Sequence, residues 1–198
     1  QTNCAEATSM INFCINLNHN NNLISFPGLP EDLSLVNIFQ DLNNDVVGLI
    51  GESSAAAHLG NGLWVGALQS IDAYSGYWLI LDEMAIDNQE SIELCMSGYP
   101  SNNLLYQLYE GPNLISYPFN GNAPISETIP IDLQQHITGI IGQGIATANI
   151  GNGIWVGALQ IFESTKGYWV MSNQDIEAFY FISPNNYMTS SNIGLQSN

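Results

Sequence analysis

One segment of this chain occurs twice, at a constant offset of 91 residues. Residues 22–78 align with 113–169 without a gap, and 25 of the 57 positions are identical. All four tryptophans lie at matched positions. The offset exceeds the period of a solenoid unit, which is about 20–50 residues. The repeat therefore predicts two small tandem domains, or one pseudo-symmetric domain made of two halves.

Each copy contains about six or seven short apolar stretches separated by Asn- and Gly-rich turns, a pattern typical of strands. The predicted strands are 11–17, 23–26, 46–50, 63–68, 77–81 and 92–96, then 104–109, 114–117, 137–141, 154–159, 168–171 and 176–182. Gly66 and Gly157 interrupt their strands, which indicates a bulge or a close backbone approach. We expect a mainly β fold of two tandem pseudo-symmetric small β-barrel or β-sandwich domains, each with at most one short helix.

The least similar part of the two copies carries the predicted helix. Apolar residues recur at i, i+3, i+4 and i+7 over 35–42, which predicts one short amphipathic helix capped by Asp32 or Ser34. The matching stretch of the second copy contains Pro124 and Pro130, which predict a shorter or broken helix.

A turn-rich segment, 98–103, marks the expected border between the copies. Residues 1–98 form the predicted first β-repeat with its N-terminal segment, and 99–183 form the second. The C-terminal tail, 184–198, is rich in Asn and Ser. This tail is either disordered or a strand that pairs with a neighbour.

The charge balance is acidic because basic residues are missing. There are 18 acidic residues against a single basic one, Lys166, giving a formal net charge of −17, yet only 10% of residues are charged. Phosphate binding requires clustered Lys and Arg, so nucleic acid and anionic membranes are excluded as partners. No apolar run reaches the roughly 18 residues of a membrane helix, so membrane insertion is not expected.

The three cysteines are too few for a disulfide framework and are not spaced as metal ligands. We expect one intramolecular bridge, either Cys4–Cys14 or Cys14–Cys95, and one further cysteine. The chain begins at Gln1, which is consistent with removal of a signal peptide. Together these features favour a secreted or cell-surface protein.

Four aromatic residues at matched positions are candidate ligand contacts: Trp64, Tyr77, Trp155 and Tyr168. Flat rings with polar edges suit stacking on glycans, whereas large rings in small β-domains are commonly core residues. In Gly-Tyr-Trp, adjacent side chains point to opposite faces, so only one ring of each pair faces inward.

The sequence predicts no catalytic residues, no cofactor and no metal site. Glu52 follows a buried strand, but its match is Gln143, so at most one copy could use it as a catalytic acid. The segment 60–62, Gly-Asn-Gly, lacks the rest of a phosphate loop and is typical of a hairpin turn. The acids of 41–45 lack the glycine and the glutamate of a calcium loop.

The order Asn-Leu-Ile-Ser-aromatic-Pro, then Trp-Val-Gly, then Gly-Tyr-Trp resembles the "WNLISxP…GKGYW" β-modules of secreted and cell-surface proteins of bacteria and archaea, often marine. Residues 22–82 and 113–173 carry the resemblance. The chain departs from the module at Asn22 and at Ser75, where Trp-Asn and Lys-Gly are common. The resemblance implies an accessory or structural domain and does not indicate an activity.

These features favour a non-catalytic extracellular structural protein, the self-assembling subunit of a filament, sheath or surface layer. Residues 1–20 or the tail would add a strand to a sheet edge of the next copy, giving an open polymer. The expected partners are therefore copies of the same chain. The alternative is a carbohydrate-binding or adhesion module that contacts cell-surface glycans, and a marine phage decoration protein is a third interpretation.

Overall fold

The computed structural model describes residues 9–42, 45–83, 85, 91–101 and 103–184. Across these residues the protein is mainly β, with several antiparallel sheets, and none of them closes into a barrel. The arrangement is that of a sandwich and confirms the expected fold class. Cys4 and most of the C-terminal tail lie outside the described residues.

The elements of the two halves follow the same order. In the first repeat they are β1 Ile11–Leu17, β2 Asn21–Ile24, β3 Gly28–Leu29, α1 Leu35–Ile38, β4 Val46–Ile50, β5 Ala55–His58, β6 Trp64–Gly66, β7 Tyr77–Leu81 and β8 Ile92–Pro100. In the second they are β9 Tyr106–Leu108, β10 Gly111–Ser116, β11 Ala123–Pro124, α2 Ile125–Thr128, α3 Ile131–Gln134, β12 Ile137–Gly142, β13 Ile145–Asn149, β14 Trp155–Gly157, β15 Ile161–Phe162, β16 Gly167–Ser172 and β17 Ile176–Phe179.

Each repeat has its own five-stranded antiparallel sheet and its own core. The strand orders are β2-β7-β4-β5-β6 and β10-β16-β12-β13-β14, which match strand for strand. The smaller sheets differ: β1-β8-β3 in the first repeat, against the pairs β17-β9 and β11-β15 in the second. One apolar cluster lies within 13–94 and another within 106–181, so each half buries its own hydrophobic residues.

Two glycines bring neighbouring strands unusually close. Gly66 has φ +148°, and a Cβ added there would lie 2.2 Å from the carbonyl oxygen of Ala55. Gly157 has φ +154°, with the same clash at 2.4 Å from the oxygen of Ala146. The expected close backbone approach is therefore confirmed at both positions.

The helical region is short in both repeats. Helix α1 covers only the first four residues of the predicted 35–42, and the second repeat has two helices of the same length. Helix α1 begins after Ser34, whose Oγ accepts a hydrogen bond from Asn37 N at 3.4 Å. Asp32 accepts from the backbone N–H of Ser34 at 2.9 Å, which lowers the pKa of its carboxyl. In the second repeat the helix is broken into α2 and α3, two short turns where at most one helix was expected, because Pro130 separates them.

The N-terminal segment pairs within its own repeat. Strand β1 runs antiparallel to β8, with Cys14 directly opposite Cys95, and these two cysteines form the disulfide. Residues 11–17 are therefore already paired, which corrects the expectation that this part of 1–20 is donated to another copy. Strand β8 also continues to Pro100, past the expected border at residue 98.

A pseudo-two-fold axis relates the two repeats. The bridge between Ile24 and Lys166 has its counterpart, 91 residues on, in the bridge between Ile115 and Ser75. The hydrogen bond from Ser25 N to Thr165 O is likewise matched by Ser116 N to Tyr74 O. Edge strands β2 and β10 therefore face the opposite repeat, as in an isologous dimer interface.

Gly76 and Gly167 lie where the two repeats meet at this axis. A Cβ on Gly76 would be 3.3 Å from Gly167 Cα, and one on Gly167 would be 2.8 Å from the oxygen of Ile24. The glycine of each Gly-Tyr-Trp motif therefore allows the repeats to pack backbone against backbone.

Candidate functional site

The four aromatic residues expected to contact glycans are core residues. Trp64 and Trp155 are 9% exposed, and Tyr77 and Tyr168 are 2% exposed or less. The Trp64 ring packs at 5.6 Å from Phe39, measured between ring centroids. A sugar cannot reach these ring faces, so their assignment as stacking residues is corrected to a packing role.

The polar atoms of these rings hold local structure. Tyr77 Oη accepts a hydrogen bond from Asp72 N at 2.9 Å, and Tyr168 Oη accepts from Glu163 N at 2.7 Å. Burial raises the pKa of both phenols. Trp155 Nε1 donates to Gln134 Oε1 at 3.2 Å. Each tyrosine thus fixes the turn that leads into its own strand.

The outward rings of the Gly-Tyr-Trp motifs are Trp78 and Trp169, both half-buried. The sequence predicted that one ring of each pair faces inward, but it did not indicate which. The alternation along β7 buries Tyr77 and turns Trp78 outward.

The outward side of each five-stranded sheet is apolar. Ile50 pairs with Trp78 on one side and Ala55 on the other, and Ala57 pairs with Val65. We call the outward set of each repeat its apolar sheet face. The two sets are Trp78, Ile80, Ile50, Ala55, Ala57 and Val65 in the first repeat, and Trp169, Met171, Ile141, Ala146, Ala148 and Val156 in the second.

The hairpin tips extend this apolar surface. Leu59 and Leu63 are 64% and 56% exposed at the β5–β6 turn, and Ile150 and Ile154 are 66% and 52% exposed at the β13–β14 turn. An antiparallel sheet with one side in water usually alternates apolar-in and polar-out. Contiguous exposed apolar surface of this kind marks contact sites.

These surfaces are also free of charge. No Asp, Glu, Lys or Arg occurs between residues 53 and 71 or between 133 and 162, in a chain whose net charge is −17. The spans carry β5–β6 of the first repeat and β12–β15 of the second. The overall charge count does not indicate these uncharged spans, which are visible in the sequence as gaps in the charge pattern.

Glu52, the most tempting catalytic acid, joins the two repeats. Its Oε2 accepts the backbone N–H of Leu114 at 3.0 Å, and the matched Gln143 Oε1 accepts from Leu23 N at 2.9 Å. Glutamate and glutamine both supply an Oε acceptor, so the mismatch between the copies preserves the contact. The pair is a symmetric element of the interface.

The structure does place Glu52 and Asp72 on one cleft of about 410 Å³. Asp72 Oδ1 accepts from Tyr74 N at 2.7 Å and Ser75 N at 2.8 Å, and its Oδ2 accepts from Ser75 Oγ at 2.9 Å. Both carboxylates thus hold backbone, one at the interface and one in a turn.

Among the described residues, the side chains that come close enough together to share a metal ion are Cys14, Glu93 and Cys95. Glu93 lies beside Cys14 and Cys95, but the two sulfur atoms are bonded to each other and offer no thiolate. Gln134, in the stretch that matches 41–45, donates to the carbonyl oxygens of Ser126 and Ile129.

No helix among the described residues is long and apolar enough to cross a bilayer. Comparison of the chain with protein families, with curated proteins and with solved structures gives no match.

Proposed function

We propose that this protein is a non-catalytic, extracellular structural subunit that assembles with copies of itself through its two apolar sheet faces. The single observation that carries the proposal is the pair of matched, uncharged and exposed apolar faces, one on each repeat. A chain with two such faces can bind a copy at each, which produces an open assembly such as a filament, sheath or surface layer.

The apolar area favours contact with protein. Val65 and Val156 are 53% and 55% exposed, and Ile50 and Ile141 are 41% and 43% exposed. Burying apolar surface contributes roughly 25 cal/mol per Å², so covering both faces and their hairpin tips is favourable. The outward rings, Trp78 and Trp169, are half-buried in their own sheets and expose little ring face for a sugar to stack on, whereas a flat protein surface can cover the whole apolar sheet face.

Charge selects the place of contact. Copies of net charge −17 repel each other through most of their surface. The uncharged spans 53–71 and 133–162 are the regions through which two copies approach at least electrostatic cost. Added salt screens the remaining repulsion, so assembly is expected to strengthen as ionic strength rises.

The outer edge strands lie beside these faces. In each sheet one edge strand, β2 or β10, faces the other repeat, and the opposite edge is β6 or β14. Exposed edges add strands readily unless lysine or proline protects them, and neither residue occurs in 64–66 or 155–157. We therefore propose that copies pair through β6 and β14. Residues 11–17 are not donated to another copy, because they are paired within their own chain.

The disulfide supports an extracellular setting. Cys14–Cys95 joins two exposed cysteines, and such bonds persist in oxidising compartments. The resemblance to β-modules of secreted and cell-surface proteins points in the same direction.

The test uses the full chain in sedimentation velocity and negative-stain microscopy over a range of concentration and salt. The wild-type chain is expected to form particles larger than a monomer. The double variant Val65→Lys with Val156→Lys places a charge on each face and edge and should remain monomeric. Leu105→Lys, at a residue that is 61% exposed outside both faces, is the control and should assemble like the wild type.

A wild-type chain that stays monomeric at high concentration and high salt overturns the proposal. Assembly of the double lysine variant to the wild-type extent would show that other surfaces make the contact.

A further inference from the structure

One cleft lies where the two repeats meet. It has a volume of about 410 Å³ and lies between strand β1 of the first repeat and the turn 163–166 of the second. Phe13, Cys14 and Asn16 form one wall, and Asn120 and Asn122 border the other. The volume is within the range of small-molecule sites, which is about 300–1,000 Å³.

The other half also has a cleft of about 410 Å³, lined by Asp72, Ser75 and Gln107, which match Glu163, Lys166 and Asn16. There, Tyr74 packs edge-on against Tyr106 with ring centroids 5.6 Å apart. The residues 91 positions away from these two are Thr165 and Ile15. The pseudo-two-fold axis therefore relates two clefts with different linings: Thr165 and Lys166 stand where the other half has Tyr74 and Ser75.

The backbone at the cleft is strained. Thr165 has φ +66° and is 8% exposed, although a β-branched residue is a conformational outlier there. Its carbonyl oxygen accepts the backbone N–H of Ser25 at 2.9 Å, which helps hold the strained turn. Such strain is concentrated at functional sites.

The lining groups suit hydroxyl-rich ligands. Asn122 Oδ1 accepts a hydrogen bond from Ser164 N at 2.9 Å, and Asn120 Oδ1 accepts one from Ser164 Oγ at 3.4 Å. Among the described residues, the Nδ2 donors of both asparagines remain available to a ligand. Asn16 adds another amide and Glu163 a carboxylate. These groups both donate and accept hydrogen bonds, as pairs of sugar hydroxyls require.

The only basic residue of the chain, Lys166, lies at this cleft. Lys166 and Glu163 also line a second cleft of about 330 Å³, which has an apolar wall of Leu23, Ile145 and Leu159. The two clefts therefore lie next to each other, divided by one cationic and one anionic side chain. A ligand longer than one sugar ring can contact both.

We propose that the cleft at 163–166 binds an oligosaccharide, with one ring among Asn16, Asn120 and Asn122 and the next beside Lys166. One acid offsets the single cation, so a strongly anionic ligand such as a nucleotide is disfavoured. The site is separate from the apolar sheet faces, and glycan binding here does not depend on self-assembly.

The test is isothermal titration calorimetry on the full chain with two sets of probes. The neutral probes are cellotetraose, maltotetraose and mannotetraose, and the acidic probe is tetragalacturonate. At least one is expected to bind with one site per chain. A neutral probe is expected to bind more tightly than the acidic one, with Lys166 donating to hydroxyls. Tighter binding of tetragalacturonate would contradict the charge balance assigned to the cleft.

The variants follow from the repeat. Lys166→Ser carries the residue found at the matching position 75, and Thr165→Tyr the residue found at 74. Each should weaken binding at least tenfold, while Ser75→Ala, the matched control in the other half, should leave it unchanged. Lys166→Ser changes a side chain at the surface, so it tests the site even where Thr165→Tyr fails to fold. Failure of every probe to bind the wild-type chain, or binding that both variants leave unchanged, overturns the proposal.

Discussion

Each repeat has a five-stranded sheet of the same strand order, but the two repeats stabilise their smaller sheets differently. In the first repeat, the disulfide Cys14–Cys95 links β1 to β8. In the second, the rings of Phe179, Phe162 and Tyr106 lie 5.0 to 5.6 Å from Phe181. A disulfide acts mainly by restricting the unfolded chain, whereas buried rings act in the folded state. One scaffold therefore tolerates two unrelated means of stabilisation.

Removing the disulfide should have the largest effect. The two cysteines are 81 residues apart in sequence, and for a loop of that length the loop-entropy relation gives about 4.5 kcal/mol. Cys14→Ser with Cys95→Ser should lower the free energy of unfolding by this amount, measured by urea denaturation. Hydrogen exchange should rise more in β4 than in β12. An equal rise in both strands would show that the repeats unfold as one unit.

Truncating the central ring of the second repeat comes next. Phe181 is 7% exposed and contacts rings on several sides. Phe181→Ala should reduce the free energy of unfolding by about 3 kcal/mol, as large-to-small core changes do. Thermal unfolding by circular dichroism measures the loss, and hydrogen exchange should now rise mainly in β12. A stability equal to that of the wild type would mean that the ring cluster contributes nothing.

Alkaline pH should destabilise the two repeats to different extents, and this effect is smaller than the two above. Burial raises the pKa of Tyr77 in the first repeat and of Tyr106, Tyr117 and Tyr168 in the second. The unfolded chain therefore loses these protons first, near pH 10, so stability is fully present below about pH 10 and falls as the pH rises. At pH 11 the expected loss is about 1 kcal/mol per tyrosine, after allowance for partial solvent screening.

The stability of the second repeat should consequently fall by about 2 kcal/mol more than that of the first. Hydrogen exchange of the β4 and β12 amides between pH 9 and 11 measures the difference. Tyr168→Phe removes one titrating group and should flatten the decline of the second repeat. Identical decline in both repeats would contradict this assignment.

The smallest predicted effect is a gain in stability. Tyr117 Oη is buried without a hydrogen-bond partner in the described structure, and the matching residue of the first repeat is Phe26. Tyr117→Phe should raise the free energy of unfolding by about 1 kcal/mol, because an unpaired buried hydroxyl is removed. Tyr168→Phe is the matched control and should destabilise, since its hydroxyl accepts from Glu163 N. Chemical denaturation measures the free energy of unfolding of both variants, and a lower value for Tyr117→Phe than for the wild type would contradict the prediction.

The sequence predicts the strands that carry their own local signals. Predicted strands 46–50 and 77–81 coincide with β4 and β7, since apolar runs after turns specify both. It does not predict β5 and β13, because alanine-rich stretches become strands only through pairing with neighbours. The same limit applies to the candidate site. Local alternation cannot say which ring of Tyr77 and Trp78 faces the core, and Glu52 finds its role in a partner 62 residues away.

The pseudo-two-fold axis at Gly76 and Gly167 has a consequence for how the proposed assembly would elongate. A two-fold operation exchanges β6 with β14, so the two free edges of a chain run in equivalent senses. An assembly joined through both edges by like-to-like contacts would have no intrinsic polarity. Its two ends would then elongate at similar rates, differing only through the positions at which one repeat departs from the other.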